Sequence, residues 1–146
     1  MLHVDHFSST ITEKGRSIIV EKPLVSKTTN VDEALIVLTS VEKQDEHNLE
    51  YIAEKAVDEI AKLANQLKVK VIVLHPFAHL FAEMSSPEVA LRILKLTEEG
   101  LARQNLSVIR TPFGWFNTLD IKAKGHPLSR VARIILADFC EKTDKP

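Results

Sequence analysis

Three short segments of this chain carry residue types that do chemistry, and each lies at the end of an apolar run. The first is His75-Pro76-Phe77-Ala78-His79-Leu80. Two imidazoles at this spacing hold zinc when a helix projects both rings to one side. Pro76 opposes that arrangement, because the residue before a proline is held in extended backbone. No cysteine or acidic side chain follows at a metal-ligand spacing, so no metal is expected. What remains for His79 is proton transfer or the positioning of water, set against the plainer reading of a packed or capping histidine. The second segment is Thr111-Pro112-Phe113-Gly114-Trp115-Phe116-Asn117. A Pro-aromatic-Gly turn followed by two aromatics either closes a core or offers a surface on which a nucleobase stacks. The third, Lys124-Gly125-His126-Pro127-Leu128, reads as a turn with proline at a helix start. The chain has no phosphate-binding glycine loop, no nucleophile elbow and no dinucleotide fingerprint.

The elements that must position these segments alternate between strand and helix. Short apolar stretches around residues 1–4 and 17–20, separated by Ser8-Ser9-Thr10 and Lys14-Gly15-Arg16, predict strands with turns, and residues 21–33 predict a loop. Leu35–Val41 is β-rich and apolar enough for a buried central strand. From Asn48 to Lys68 the period becomes helical, with Ile52, Ala56, Ile60, Leu63 and Leu67 at spacings of three and four. Residues 69–74 form a second buried strand, and residues 75–84 a loop. Ser86-Pro87-Glu88 starts a helix running to about Arg103, with Ser as N-cap, Pro at the first helical position and an acid in the first turn. Residues 106–110 and 116–123 read as strands flanking the Pro-Phe-Gly turn, 129–139 as a short helix, and 141–146 as a polar tail. The expected fold is a single α/β domain with a mixed sheet, the N-terminal hairpin supplying the antiparallel part.

With 146 residues the chain suits one domain with a sizeable core. No apolar run approaches the length that crosses a bilayer, and residues 1–30 lack a signal-peptide core, so a cytoplasmic protein without membrane contact is expected. The single Cys140 excludes an internal disulfide and suits a reducing compartment. A formal net charge of −1 leaves no broad basic field for a long phosphate backbone. A nucleic-acid partner would present an end, with most of its affinity supplied by another domain or chain.

Ser40-Val41-Glu42-Lys43, Pro76-Phe77-Ala78-His79-Leu80, Pro112-Phe113-Gly114 and Lys124-Gly125-His126-Pro127-Leu128 also stand in a familiar order and spacing. In this the chain resembles the N-terminal editing domain of archaeal threonyl-tRNA synthetases, over nearly all its length and least over residues 1–33. The resemblance implies a fold like that of D-aminoacyl-tRNA deacylases, a homodimer, and the removal of serine wrongly attached to tRNA(Thr). On this basis residues 1–140 form the editing domain and 141–146 a tail or linker. Further synthetase domains, or a separate synthetase chain, are the expected partners, and no cofactor is expected. Carried over residue by residue, Val41, Pro76, Phe77 and Ala78 wall the amino acid and the terminal adenosine. His79 positions the attacking water or the ribose hydroxyl, with general-base action left open. Backbone N–H groups near Ala78 and Phe113 receive the oxyanion, and the terminal 2′-OH assists. Phe113, Gly114, Trp115, Phe116 and Asn117 complete the substrate-binding set.

Two positions depart from the family pattern. After Pro-Phe-Gly the family has two aromatics and then a lysine, whereas Asn117 follows Trp115 and Phe116 here. An acid expected three positions after the proline of Gly-His-Pro is Arg130. The four-carbon stem of Lys14, from the N-terminal hairpin, is one way to return an ammonium group to the site. That reading stands level with a solvated turn lysine, and Lys22 is a weaker candidate. The alternatives are a D-aminoacyl-tRNA deacylase, distinguished by chirality, and a non-catalytic aminoacyl-tRNA or nucleotide-binding module, favoured by Asn117 and Arg130.

Overall fold

A computed structural model describes residues 1–22, 26–78 and 83–137. Two helices and a five-stranded sheet make one α/β unit. β1 (Leu2–Lys14) and β2 (Thr28–Thr39) are followed by a 3₁₀ turn (Lys43–His47) and α1 (Leu49–Leu67). β3 (Val71–Pro76), α2 (Pro87–Ala102), β4 (Ser107–Arg110) and β5 (Trp115–Ala123) complete the order. Across the sheet the strands run β4-β3-β2-β1-β5. β2, β3 and β4 are parallel, while β1 is antiparallel to both β2 and β5.

The helices form where the apolar period predicts. Asn48 caps α1, its side-chain oxygen accepting from the Tyr51 N–H at 3.2 Å, and Lys68 ends it in the left-handed conformation at φ 59°. Ser86 caps α2 through the Val89 N–H, with Pro87 at the first position. Both helices pack on one face of the sheet. There Leu35, Val37, Ile72 and Leu74 meet Val57, Ile60, Leu63 and Ala64 of α1 and Leu101 of α2. Each such side chain removed from water contributes about 1.5–3 kcal/mol. The two helices approach closely at Gly100, where an added Cβ would lie 2.6 Å from Val57 Cγ2.

The other face is buried with no helix over it among the described residues. Val4, Phe7, Ala34, Ile36 and Val73 are fully buried, with Ile109 of β4 and Ile121 of β5 packed against them. Connectivity supplies the reason. β4 and β5 are opposite edges of the sheet, yet residues 111–114 alone join them. That link spans at most roughly 18 Å, while a flat five-stranded sheet is about 19 Å across. β5 also begins opposite Lys14, at the far end of β1, which in a flat sheet would lie roughly 40 Å along the strand direction from the row of Val37. The sheet must therefore curl enough to bring the joined ends within reach of the link, and the second cluster fills the inside of the curl. Bulges in the β1–β5 ladder, between Val4 and His6 and between Ile11 and Glu13, supply bending. The rings of Phe7 on β1 and His75 on β3 touch at 5.9 Å between centroids, across the intervening β2.

Three expectations fail. β1 is one long strand, where separate strands near residues 1–4 and 17–20 were expected, because it serves two neighbours along its length and so stays paired through its polar middle. Residues 28–33, expected as loop, belong to β2 for the same reason: Ser8, Ser9 and Thr10 pair with Asn30, Thr29 and Thr28. The helix expected over 129–139 is absent from residues 129–137, the part that is described. Backbone hydrogen bonds take that segment elsewhere, since the His3 N–H donates to Ser129 O at 2.9 Å and the Val131 N–H to Met1 O at 2.9 Å. His3 and His126 reinforce the docking through a ring-nitrogen contact of 2.8 Å.

Gly100→Ala should lower stability by about 1–2 kcal/mol by chemical denaturation, the clash with stiff Val57 outweighing the helix-propensity gain. Adding Val57→Ala should give a positive coupling in a double-mutant cycle.

Candidate functional site

The carboxyl ends of the parallel strands β2, β3 and β4 lead into residues 39–41, 76–78 and 111–114, the common place for a site in an α/β sheet. Backbone bonds knit these ends together. The Phe77 N–H donates to Thr39 O at 2.8 Å, and the Thr111 N–H to Leu74 O at 3.0 Å. Residues 83–85 run back along 41–43, with the Ser85 N–H on Val41 O at 3.0 Å and the Lys43 N–H on Glu83 O at 3.2 Å.

His75 locks two of these ends. Its Nδ1 and Thr111 Oγ1 share a hydrogen bond of 2.8 Å, and the residue is 2% exposed. Burial lowers its pKa from 6.5 to about 4. The first of the paired histidines is thus a neutral structural group. His79, the second, lies outside the described residues.

The Pro112-Phe113-Gly114 turn is fixed by a strap that follows β1. The Gly15 N–H donates to Gly114 O at 2.8 Å and the Glu21 N–H to Phe113 O at 3.0 Å. The Glu21 carboxylate accepts the Phe113 N–H at 2.9 Å and pairs with Arg110, which also donates to Glu98 on α2 at 2.9 Å. The Trp115 indole N–H donates to Glu21 O at 2.6 Å. Burial acts to raise the Glu21 carboxyl pKa, but the Arg110 guanidinium and the Phe113 N–H outweigh it and hold the group below its ordinary value. Gly114 has φ +89°, and a Cβ there would lie 2.4 Å from Ile19 O. Both facts require glycine.

This overturns one expectation. The Phe113 N–H does not face a reacting group, because Glu21 occupies it. Sequence reasoning missed Glu21, Arg110 and Thr111. The available signal was Arg110 itself, a cation closing an apolar strand and therefore needing a buried partner.

The other predicted residues fall into two sets. On the ladder between β1 and β5, Lys14 pairs with Trp115, Glu13 with Phe116 and Ile11 with Asn117. Alternation along β5 puts Trp115 and Asn117 on one face, with Lys14 beside them. Phe116 turns to the opposite face and is 52% exposed. Pro76, Phe77 and Ala78 stand at the end of β3, Phe77 half-buried and Ala78 exposed. Val41 is buried in a cluster with Ile52 and Ile93. Among the described residues it is the one predicted site residue on a cavity of about 490 Å³ between the helices and residues 130–135, which Arg130 also lines. Among the described residues no group of histidine, cysteine and acidic side chains could hold a metal. No helix there is long and apolar enough to cross a membrane.

The archaea-specific editing domain of threonyl-tRNA synthetase matches residues 1–135. The chain belongs to that editing-domain family. Its members hydrolyse mischarged aminoacyl-tRNA, so the strand ends described above belong to a hydrolase domain. Threonine–tRNA ligases of Methanobrevibacter smithii and Methanocaldococcus jannaschii are 41% and 42% identical to it over 94% of its length. That of Pyrococcus horikoshii is 35% identical over 100%. The chain spans about a fifth of each of these relatives, 22% of the first two and 23% of the third.

His75 supplies a pH test. The unfolded imidazole takes a proton below about 6.5 and the folded one below about 4, so between these values the unfolded state binds more protons. Its contribution is complete above 6.5 and should fall as pH drops toward 4, by on the order of 3 kcal/mol in total. Urea unfolding at pH 5 and pH 7 should show a smaller pH difference in His75→Gln than in the wild type. Glu21→Ala should cost about 2 kcal/mol by the same method, since it leaves the Phe113 N–H and one side of Arg110 unpaired.

Proposed function

We propose that this domain proofreads threonine attachment by hydrolysing L-seryl-tRNA(Thr) while sparing threonyl-tRNA(Thr). The observation that carries the reading is the family match over residues 1–135, joined to the clustering of its motif segments at the parallel strand ends. The physical need is plain. Serine lacks one methyl of threonine, worth about 1–3 kcal/mol in a pocket, so a site that accepts threonine cannot strongly reject serine. A second pocket that excludes threonine by size supplies the missing selectivity.

In this proposal Val41, Pro76, Phe77 and Ala78 wall the aminoacyl group, and His79 positions the water or the ribose hydroxyl. The terminal 2′-OH assists the attack. The Ala78 N–H remains the oxyanion donor, Phe113 having been withdrawn from that role. Exposed Phe116 offers a ring to the terminal base, and Gly114, Trp115 and Asn117 complete the wall. Lys14 supplies the ammonium group that Asn117 lacks; its pairing with Trp115 on the strand next to Asn117 supports this. We further propose a cytoplasmic homodimer, with the editing domain over residues 1–140, the remainder as linker, and the rest of the tRNA held by other synthetase domains or a separate synthetase chain. Asn117 and Arg130 favour one competing reading, a binding module without catalysis.

A deacylation time course on Ser-tRNA(Thr), Thr-tRNA(Thr) and a D-aminoacyl-tRNA tests the set. Serine ester should be cleared at least about tenfold faster than threonine ester, and His79→Ala and Lys14→Ala should each slow it by about tenfold or more. Equal hydrolysis of the serine and threonine esters removes the sieve, and preference for the D-ester makes it a chirality filter. Wild-type rates in Lys14→Ala end that residue's role. Binding of an aminoacyl-adenosine analogue without any hydrolysis establishes the non-catalytic module.

A further inference from the structure

The Gly125-His126-Pro127-Leu128 turn takes no part in the hydrolysis proposed above, yet it begins the segment that walls the Val41 cavity. Residues 130–135 line that cavity. They are held on the start of β1 by the His3 N–H on Ser129 O and the Val131 N–H on Met1 O, both at 2.9 Å. The turn is closed on itself, since Ser129 Oγ donates to His126 O at 2.7 Å and the Ser129 N–H to the same oxygen at 3.1 Å. His126 ties this turn to β1. Its ring stands edge-on to that of His3, with centroids 5.0 Å apart, and its Nε2 lies 2.8 Å from His3 Nδ1.

The backbone fixes where the protons sit in this contact. The Leu128 N–H donates to His126 Nδ1 at 3.2 Å, so that nitrogen carries a lone pair and the neutral ring holds its proton on Nε2. His126 Nε2–H then donates to His3 Nδ1, which leaves the His3 proton on its own Nε2. Each nitrogen has this role only while both rings are neutral. A proton added to His126 Nδ1 faces the Leu128 N–H, and one added to His3 Nδ1 faces His126 Nε2–H. Either one sets two donors against each other. Surrounding charge acts in the same direction. Burial, His126 and Lys124 lower the His3 pKa below its ordinary 6.5, outweighing Glu33 of β2 and Asp5 of β1. Both of those acids are engaged by the Lys124 ammonium.

We propose that His126 is a positioning residue which, paired with neutral His3, fixes residues 129–135 as a wall of the aminoacyl site, and that protonating the pair releases this wall. What the wall encloses rests on the deacylation reading, whereas the pairing is measured without substrate. Because docking lowers the His3 pKa, the released state binds more protons just below 6.5. Docking is therefore complete above that value and weakens as pH falls.

Amide hydrogen exchange of His3 and Val131, whose N–H groups make the docking bonds, reads the wall directly. Rates are corrected for intrinsic exchange at each pH and referred to fully buried Val73, which carries any global loss through His75. Relative to Val73, protection of both amides should fall by about tenfold or more between pH 7.5 and pH 5. His126→Gln keeps a donor for His3 Nδ1 and cannot titrate, so it should stay docked and lose most of this pH dependence. His126→Ala should lose about tenfold in protection already at pH 7.5. The KM for Ser-tRNA(Thr) should rise over the same pH range in the wild type and stay within about twofold in His126→Gln, whatever kcat does. Protection independent of pH in the wild type, unchanged pH dependence in His126→Gln, or a wild-type KM that ignores pH overturns the proposal. Exchange as expected without any hydrolysis of the serine ester upholds the pairing and removes the deacylation reading instead.

Discussion

A four-residue link between opposite edges of the sheet governs the rest of this structure. Because residues 111–114 join opposite edges, the sheet has to roll, and rolling lets one face be buried by its own strands while the helices cover the other. The link is too short to hold a conformation by itself. Glu21 holds it, by pairing with Arg110, accepting the Phe113 N–H and presenting its carbonyl to Trp115. A charged group inside an apolar fold ordinarily costs stability. Here it secures the one connection on which both the inner core and the geometry of the strand ends rest.

The helices were legible because their signals are local. The period of Ile52, Ile60 and Leu63 and the Ser86-Pro87 start need no knowledge of the remaining chain. β2 and β3 were legible as apolar runs that only burial explains. β1 was not, because its middle is polar and its strand character comes from partners at residues 28–36 and 115–123. The same distance hid Glu21, whose partners lie 89 and 92 residues away. The final segment failed for a related reason: its apolar residues fit a helix, but the N-terminal end of β1, beyond its last pair with β5, offered its backbone a better set of bonds.

At the strand ends, two of the three segments picked out by residue type lie side by side, through Thr111 on Leu74 and Phe77 on Thr39, while residues 124–128 are bonded to His3 and Ser129. Their roles were less legible than their places. One of two similar histidines proved to be a buried strut, because its neighbour Thr111 was invisible in spacing. The Pro-Phe-Gly amide, a natural oxyanion donor by type, proved to be occupied. The two departures from the expected pattern stand apart, Asn117 pairing with Ile11 beside Lys14 and Arg130 bridging to Leu2 at the opposite end of β1.

The place of β1 between β2 and β5 has a consequence for how the chain is made. A ribosome delivers β1 first and β5 more than a hundred residues later. Throughout that interval β1 has an unsatisfied edge, and Phe7 lacks the strands that enclose it. Pairings so distant in sequence form late and slowly, so the nascent domain has to wait with one side of β1 exposed. The polar run Ser8-Ser9-Thr10, which obscured β1 as a strand, also keeps that waiting edge from being a sticky one.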